Sequence, residues 1–265
     1  DYALAIQPAV AKSTTHRSKD GQNPWVAALT DADLSVQNLL EVATLARYPH
    51  IRFYGEEHES SYNQKYFPPA AEVSVHVDPI NGTYLFRSGR PNWDIIVSIA
   101  RRGRLMAVIS YMPGRGRYYA AIRGAGARIG DRGEPHFAHA RPLRTTGGAR
   151  TCLTYQAPDV CARLAKQLDC FDIVTDDDPV RGLDNINELF SGRLGAFACR
   201  AGECLDWGAI AFLATEAGGC ASHLDGSALE FFDAFDPEHR TDLLVSADAA
   251  LHGEILALLR STPAG

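Results

Sequence analysis

No surplus of basic charge runs through this 265-residue sequence: 26 Lys and Arg stand against 32 Asp and Glu, a net charge of −6. Nucleic acid is therefore not expected as a partner, because a phosphate backbone is met by a positive surface and the one dense basic run, Arg101-Arg102-Gly103-Arg104, is short. Long apolar runs are missing too. Stretches such as Ile95 to Ala100 and Leu105 to Met112 fall far below the roughly 20 residues that cross a bilayer, so no membrane span is expected. The 6 cysteines, Cys152, Cys161, Cys170, Cys199, Cys204 and Cys220, form no CxxC pair. Their scatter and apolar flanks read as reduced core thiols of a cytoplasmic protein rather than a zinc site or a disulfide framework. Repeats and low-complexity tracts are absent. What remains is globular in kind, 46% hydrophobic and 22% charged, with an acid surplus that suits an enzyme gathering carboxylates around a cation.

Along the chain, Thr30 reads as an N-cap, and Val36, Leu39, Leu40, Ala43 and Ala46 recur at helical spacing until Pro49. Val73, Val75 and Val77 alternate as a half-buried strand that Asp78-Pro79 should stop. Ile95 to Ala100, Leu105 to Met112 and Arg117 to Arg123 read as successive antiparallel strands joined by Gly-containing turns. Composition shifts near residues 140 to 150. Beyond it, Asp159 to Leu168 and Gly182 to Phe190 read as helices, and Leu194 to Cys199 and Leu243 to Ser246 as strands. A run opening at Asp206-Trp207 and closing at Gly218-Gly219, and a last segment Asp248 to Leu259, complete the helices. Helices and strands in both halves imply a layered α/β or α+β fold of two subdomains, 1–145 and 146–265.

Chemistry gathers in three segments that each set a carboxylate at the end of a regular element: Gly55-Glu56-Glu57, Asp78-Pro79-Ile80-Asn81-Gly82-Thr83, and Leu205-Asp206-Trp207 with Glu216-Ala217-Gly218-Gly219. Singly, each acid has an ordinary reading: Asp78 as a turn initiator, Asp206 as a helix N-cap, Glu56 as a solvated loop charge. Together, carboxylates on separate elements are what a hard cation such as Mg²⁺ uses beside a phosphate.

The string DPINGT resembles the DPIDGT motif of the inositol monophosphatase family in all but its fourth position. The GEE and EAGG segments follow in the family's order, and Leu205 stands where the family has tryptophan before the aspartate. The resemblance implies a layered αβαβα sandwich and a cytoplasmic homodimer. It further implies two or three Mg²⁺ ions, lithium sensitivity, and hydrolysis of a small phosphate monoester by a metal-activated water. It assigns Glu56, Asp78, the Ile80 carbonyl, Asn81 and Asp206 to the metal, Asp33 and Thr83 to orienting the water, and Gly82 and Thr83 N–H groups to phosphate oxygens. A plainer reading of Asp33 is an acid three residues into a capped helix.

Departures from the family pattern bear on substrate and activity. Asn81 replaces an aspartate, which removes a negative ligand; either a substitution made to trap a complex or a natural loss of activity accounts for it, and the intact acids elsewhere favour the former. Silent binding of a phosphorylated ligand or protein partner is thus the alternative function. Cys199 stands where inositol phosphatases place a ring-contacting glutamate, Gln37 replaces another glutamate, and Arg200 is a candidate for reading a second anionic group. The substrate class therefore stays wide: inositol, sugar, polyol or amino-alcohol phosphates, histidinol phosphate among them, or else a nucleotide or bisphosphate. Asp94 falls where relatives are apolar and suggests a subunit interface.

Overall fold

A computed structural model describes residues 1–12, 31–134 and 136–261, together with the backbone of two short strands at 17–18 and 28–29. The first half runs α1 (Tyr2–Lys12), β1 (Arg17–Ser18), β2 (Ala28–Leu29), α2 (Asp31–Arg47), β3 (Arg52–Gly55), β4 (Val73–Asn81), α3 (Thr83–Arg87), β5 (Asp94–Arg101), β6 (Arg104–Met112), β7 (Arg117–Ile122), β8 (Gly126–Asp131) and β9 (Arg141–Leu143). Strands β3 to β9 form one seven-stranded sheet in chain order, parallel at β3/β4 and antiparallel thereafter. Burial on β5 alternates residue by residue, as a pleated strand with one face on the core requires.

The second half runs β10 (Thr151–Tyr155), α4 (Pro158–Leu164), β11 (Asp169–Asp172), β12 (Ala196–Glu203), α5 (Ala209–Glu216), β13 (Cys220–Ser222), β14 (Arg240–Ser246) and α6 (Ala249–Arg260). Its five strands lie in the order β11-β10-β12-β14-β13. The last strand of the large sheet ends at Leu143 and the small sheet begins at Thr151.

Helix α5 explains how the layers stack. Ala209 to Ala214 are all buried, so the helix shows no solvent face until its last two residues, Thr215 and Glu216. A helix apolar all round belongs between two sheets, and α5 lies against β6, β7 and β8 on one side and β13 and β14 on the other. Ile96, Leu105 and Val108 of the large sheet meet Leu153, Phe197 and Leu243 of the small one in this core, with Ile210 and Leu213 between. Helices α4 and α6 cover the far face of the small sheet through Val160, Leu164, Leu251 and Ile255. Helices α1, α2 and α3 cover the large sheet around Trp93 and Phe86. The result is the expected αβαβα sandwich. No helix among the described residues is long and apolar enough to cross a membrane.

Three local expectations are corrected. Strand β4 does not stop at Asp78-Pro79 but continues to Asn81 through a bulge. Gly182 to Phe190 is not a helix; only the 3₁₀ turn Ile186–Leu189 forms, and the Asn185 and Asn187 side chains are drawn into a buried polar network. Arg52–Gly55 is a strand that the sequence did not suggest. Asp248 caps α6, its Oδ1 accepting from Leu251 N at 2.9 Å, while the Thr30 cap lies outside the described residues.

One buried titratable group sets an acid limit on the fold. His76 of β4 is enclosed, its ring edge-on to Phe235 at 5.0 Å and its Nε2 2.8 Å from Ser74 Oγ. Burial first, and then the charge of Arg52, push its pKa down to about 4. Between that value and the ordinary one near 6.5 the unfolded chain binds a proton that the folded chain refuses, so stability rises with pH across this window, by roughly 3 kcal/mol over its full width. His76→Gln is expected to flatten the fall in Tm between pH 6.5 and 4.5; an unchanged slope would exclude His76 as its source.

Candidate active site

Pairing in the sheet brings the first two acids together. Gly55 lies opposite Val77 in the parallel β3/β4 register, so Glu56 falls beside Asp78, and Glu56 N donates to Val77 O at 2.9 Å. Gly55 is required because a Cβ there would stand 2.2 Å from the Gln37 side chain. Both ends of that amide are engaged: Oε1 accepts from Glu57 N at 2.9 Å and Nε2 donates to the buried Glu41 at 3.1 Å, which holds α2 against the GEE turn.

Past Asp78 the strand bulges. Asp78 pairs with Ile96 but Asn81 with Asp94, one extra residue on β4, at the place where Pro79 has no N–H to give the ladder. Asp78 Oδ1 accepts from Ile80 N at 2.9 Å and fixes the turn. Gly82, at φ +83°, then swings the chain through the left-handed region into α3. This delivers Thr83 to α2: Thr83 Oγ1 lies 2.9 Å from both Asp33 Oδ1 and the Ile80 carbonyl, and its single proton serves these two acceptors. Asp33 is thus buried beneath Thr83 and is more than a first-turn acid of its helix.

Asp206 arrives from the other half of the molecule. It is not an N-cap; it lies inside a π-helical turn, Cys204–Gly208, that precedes α5, the kind of insertion that often marks functional sites. Leu205, in the family's tryptophan position, is buried, and Trp207 on the other side of Asp206 stacks on Phe197 at 4.8 Å and leans on Tyr155 at 5.0 Å.

Glu56, Asp78, Ile80, Asn81, Gly82, Thr83 and Asp206 all line one cavity of about 210 Å³, with Asp33 behind Thr83. Arg200 does not line it. Its Nε and Nη2 are held by Asp159 and its Nη1 by Asp242, at 2.9, 2.5 and 2.6 Å, and it lines a separate cavity with Arg163 and His223. The cause is a register shift in β12 between Cys199 and Gly202, which buries Cys199 and turns Arg200 outward. The cation at the site is instead Arg240, paired with Glu203; both line the cavity. Sequence reasoning missed Arg240, whose place depends on β12/β14 pairing. It also missed two non-glycine residues of the lining held at positive φ, Gln156 at 52° and Ala201 at 46°, strained backbone of the sort found around active sites.

Asp94 is the other correction. It is wholly buried, not at a surface, and accepts four hydrogen bonds, one of them from Asn81 Nδ2 at 2.9 Å. Burial raises its pKa, and its four donors pull it back.

The site fits a hard divalent cation on one electrostatic ground. Asp78 is held well above the usual carboxylate range, by burial first and then by Glu56 and Asp206, so three acids crowd one space while Arg240 of the same lining is paired with Glu203. Among the described residues no three His, Cys, Asp or Glu side chains are drawn together closely enough to hold a metal ion by themselves.

Compared with known proteins, residues 2–264 match the inositol monophosphatase family, and the chain belongs to it. The putative Nus factor SuhB of Neisseria meningitidis is 33% identical over 104 residues, 39% of this chain and 38% of that protein. The inositol-1-monophosphatase of Rhizobium meliloti is 29% identical over 104 residues, 39% and 37% of the two. The chain thus spans less than two-fifths of the length of these curated relatives. A solved IMPase/NADP phosphatase complexed with Mg²⁺ and phosphate shares the fold, with a TM-score of 0.70 at 18% identity over 99% of this chain and 92% of that one.

Proposed function

We propose that this protein is a divalent-cation-dependent phosphohydrolase that cleaves a small phosphate monoester of an inositol, sugar, polyol or amino alcohol. The observation that carries the reading is the convergence of Glu56, Asp78 and Asp206, from three separate elements, on one cavity that also holds the Thr83–Asp33 pair. Glu56, Asp78, the Ile80 carbonyl, Asn81 and Asp206 would hold the cation, Mg²⁺ in two or three copies with lithium as an inhibitor. Bound there, it would neutralise charge on the phosphoryl and leaving oxygens and acidify water.

The chain's own groups do the rest. The proton of Thr83 Oγ1 is committed to Asp33 or Ile80, so toward the cavity the hydroxyl presents a lone pair. It can therefore accept a hydrogen bond from a water and aim that water's oxygen at phosphorus, while Asp33 Oδ1 takes up the proton that is displaced. Backbone N–H groups of Gly82 and Thr83 are the donors for phosphate oxygens. Glu203, Arg240, Tyr155 and Trp207 form the part of the wall that would meet the alcohol.

A second reading has support in the SuhB name of one relative and in Asn81: a family member whose role is to bind a phosphorylated ligand or a protein. The test is release of inorganic phosphate from a panel of phosphate monoesters with and without Mg²⁺. Mg²⁺-dependent turnover that disappears in Asp206→Ala is expected. No turnover on any monoester, by a chain that still binds one, would favour the silent role. The homodimer that the family resemblance implied is checked by sedimentation of the same preparation.

A further inference from the structure

We propose that Asp94 is a positioning residue that turns the side-chain oxygen of Asn81 into the cavity as a neutral cation ligand, so that Asn81 and Asp94 form one unit. This deepens the cation-dependent reading above and rests on it.

Asp94 sits on β5 directly opposite Asn81 on β4 and is fully shielded from solvent. Its Oδ1 accepts from Asn81 Nδ2 at 2.9 Å and from Asn185 Nδ2 at 3.0 Å. Its Oδ2 accepts from Ser110 Oγ at 2.6 Å and from Asn187 Nδ2 at 3.0 Å. Ser110 and Asn187 are also bonded to each other at 2.9 Å, and Asn185 Nδ2 reaches the Asn92 carbonyl at 3.0 Å. A carboxylate has about four lone-pair sites and, when ionised, no hydrogen; here every site meets a donor.

The orientation of Asn81 follows from this chemistry. An acceptor-only partner must be met by the amide nitrogen, and in a planar amide the oxygen then lies on the other side. Asn81 lines the cavity, so its oxygen is the acceptor left for what the cavity holds. A freely rotating asparagine would offer a cation its N–H groups as often as its oxygen; this one is locked.

The negative charge absent at position 81 is thus present one layer behind it. A carboxylate orienting a ligand from the second layer is a common device of metal sites, and its removal typically costs 10–100-fold in metal affinity. The four donors come from β4, β6 and the 185–187 turn, all built around Asp94, which is the pattern of an assembled site and not of one lost acid. It also reverses the simplest expectation. Asn81→Asp would press a second buried carboxylate against Asp94 at hydrogen-bond distance, with no proton donor between them.

Mn²⁺ affinity of the full chain, read from the loss of the free-ion paramagnetic resonance signal, tests the proposal in the wild type, Asp94→Asn, Asn81→Asp and the double variant. Asp94→Asn is expected to weaken Mn²⁺ binding about tenfold or more. Asn81→Asp alone should bind no tighter than wild type and melt lower. The double variant restores an amide facing a carboxylate, and should bind at least as well as wild type; a merely structural role for Asp94 gives no such rescue. A folded Asp94→Asn with wild-type affinity, or a tenfold tighter Asn81→Asp, overturns the proposal. Should Asp94→Asn not fold, the comparison of Asn81→Asp with the double variant decides, and the absence of rescue overturns it. A wild-type chain that binds no Mn²⁺ overturns the cation reading itself, and is distinct from a wild type that binds and an Asp94→Asn that binds equally.

Discussion

Asp78→Asn is expected to lower the proposed phosphohydrolase activity by about 10³-fold or more and, at the same time, to raise the Tm of the metal-free protein. The two effects have one cause. Asp78 is buried against Glu56 and Asp206, and its pKa is raised well above the ordinary value by burial first and those two charges next. Its folded form therefore holds a proton more tightly than its unfolded form, so its contribution to stability is present at low pH and is lost as pH rises through the raised pKa. An amide at 78 keeps an oxygen for Ile80 N and offers N–H to Glu56, without the charge. Each ~1 kcal/mol of repulsion so removed moves Tm by roughly 2–4 °C in a chain of this size. Activity moves the other way, because the several kcal/mol of charge stabilisation supplied by a cation go with its ligand. Calorimetry in chelator at pH 6 and pH 8, beside steady-state phosphate release, measures both. The wild type should lose Tm relative to the variant as pH rises, and added Mg²⁺ should restore the wild type alone. A variant that melts lower than wild type at pH 8 in chelator would mean that the three acids are not in mutual repulsion.

Thr83→Ala is expected to lower kcat by roughly 10²- to 10⁴-fold with KM little changed, since a hydroxyl that aims a water contributes in the transition state and not to ground-state binding. Asp33→Asn is the informative companion. Its oxygen can still accept from Thr83 Oγ1, 2.9 Å away in the native chain, but it cannot take up a proton. A loss as large as that of Thr83→Ala assigns Asp33 the proton; a much smaller loss assigns it only the orientation of Thr83. Because the two act as a pair, the double variant should be little worse than Thr83→Ala. A Thr83→Ala enzyme within threefold of wild-type kcat would remove the pair from the mechanism.

Much of this site was legible in residue order. Glu56, Asp78, Gly82, Thr83 and Asp206 stand in motifs whose residue types have few other uses in that combination, and the structure brings them to one cavity. Asp33 carried a weaker signal, an acid in a first helical turn, and only its contact with Thr83 distinguishes it. Arg200 carried a misleading one: in the sequence it is a charge near the site, but an extra-residue shift in β12 gives it to Asp159 and Asp242. Arg240 and the left-handed Gln156 and Ala201 had no local signature at all, because their positions follow from strand pairing and loop closure between distant segments.

Alternation and helical spacing, both local properties of side chains along a backbone, determined by themselves that this chain builds layers of helix and sheet. That α5 is enclosed between two of them came from the structure, since the sequence offered only a helix in that run. Only the tertiary structure decided what the asparagine of DPINGT means. An amide has two chemically opposite faces, and which of them meets the cavity depends on Asp94, thirteen residues away in sequence and opposite it across the sheet.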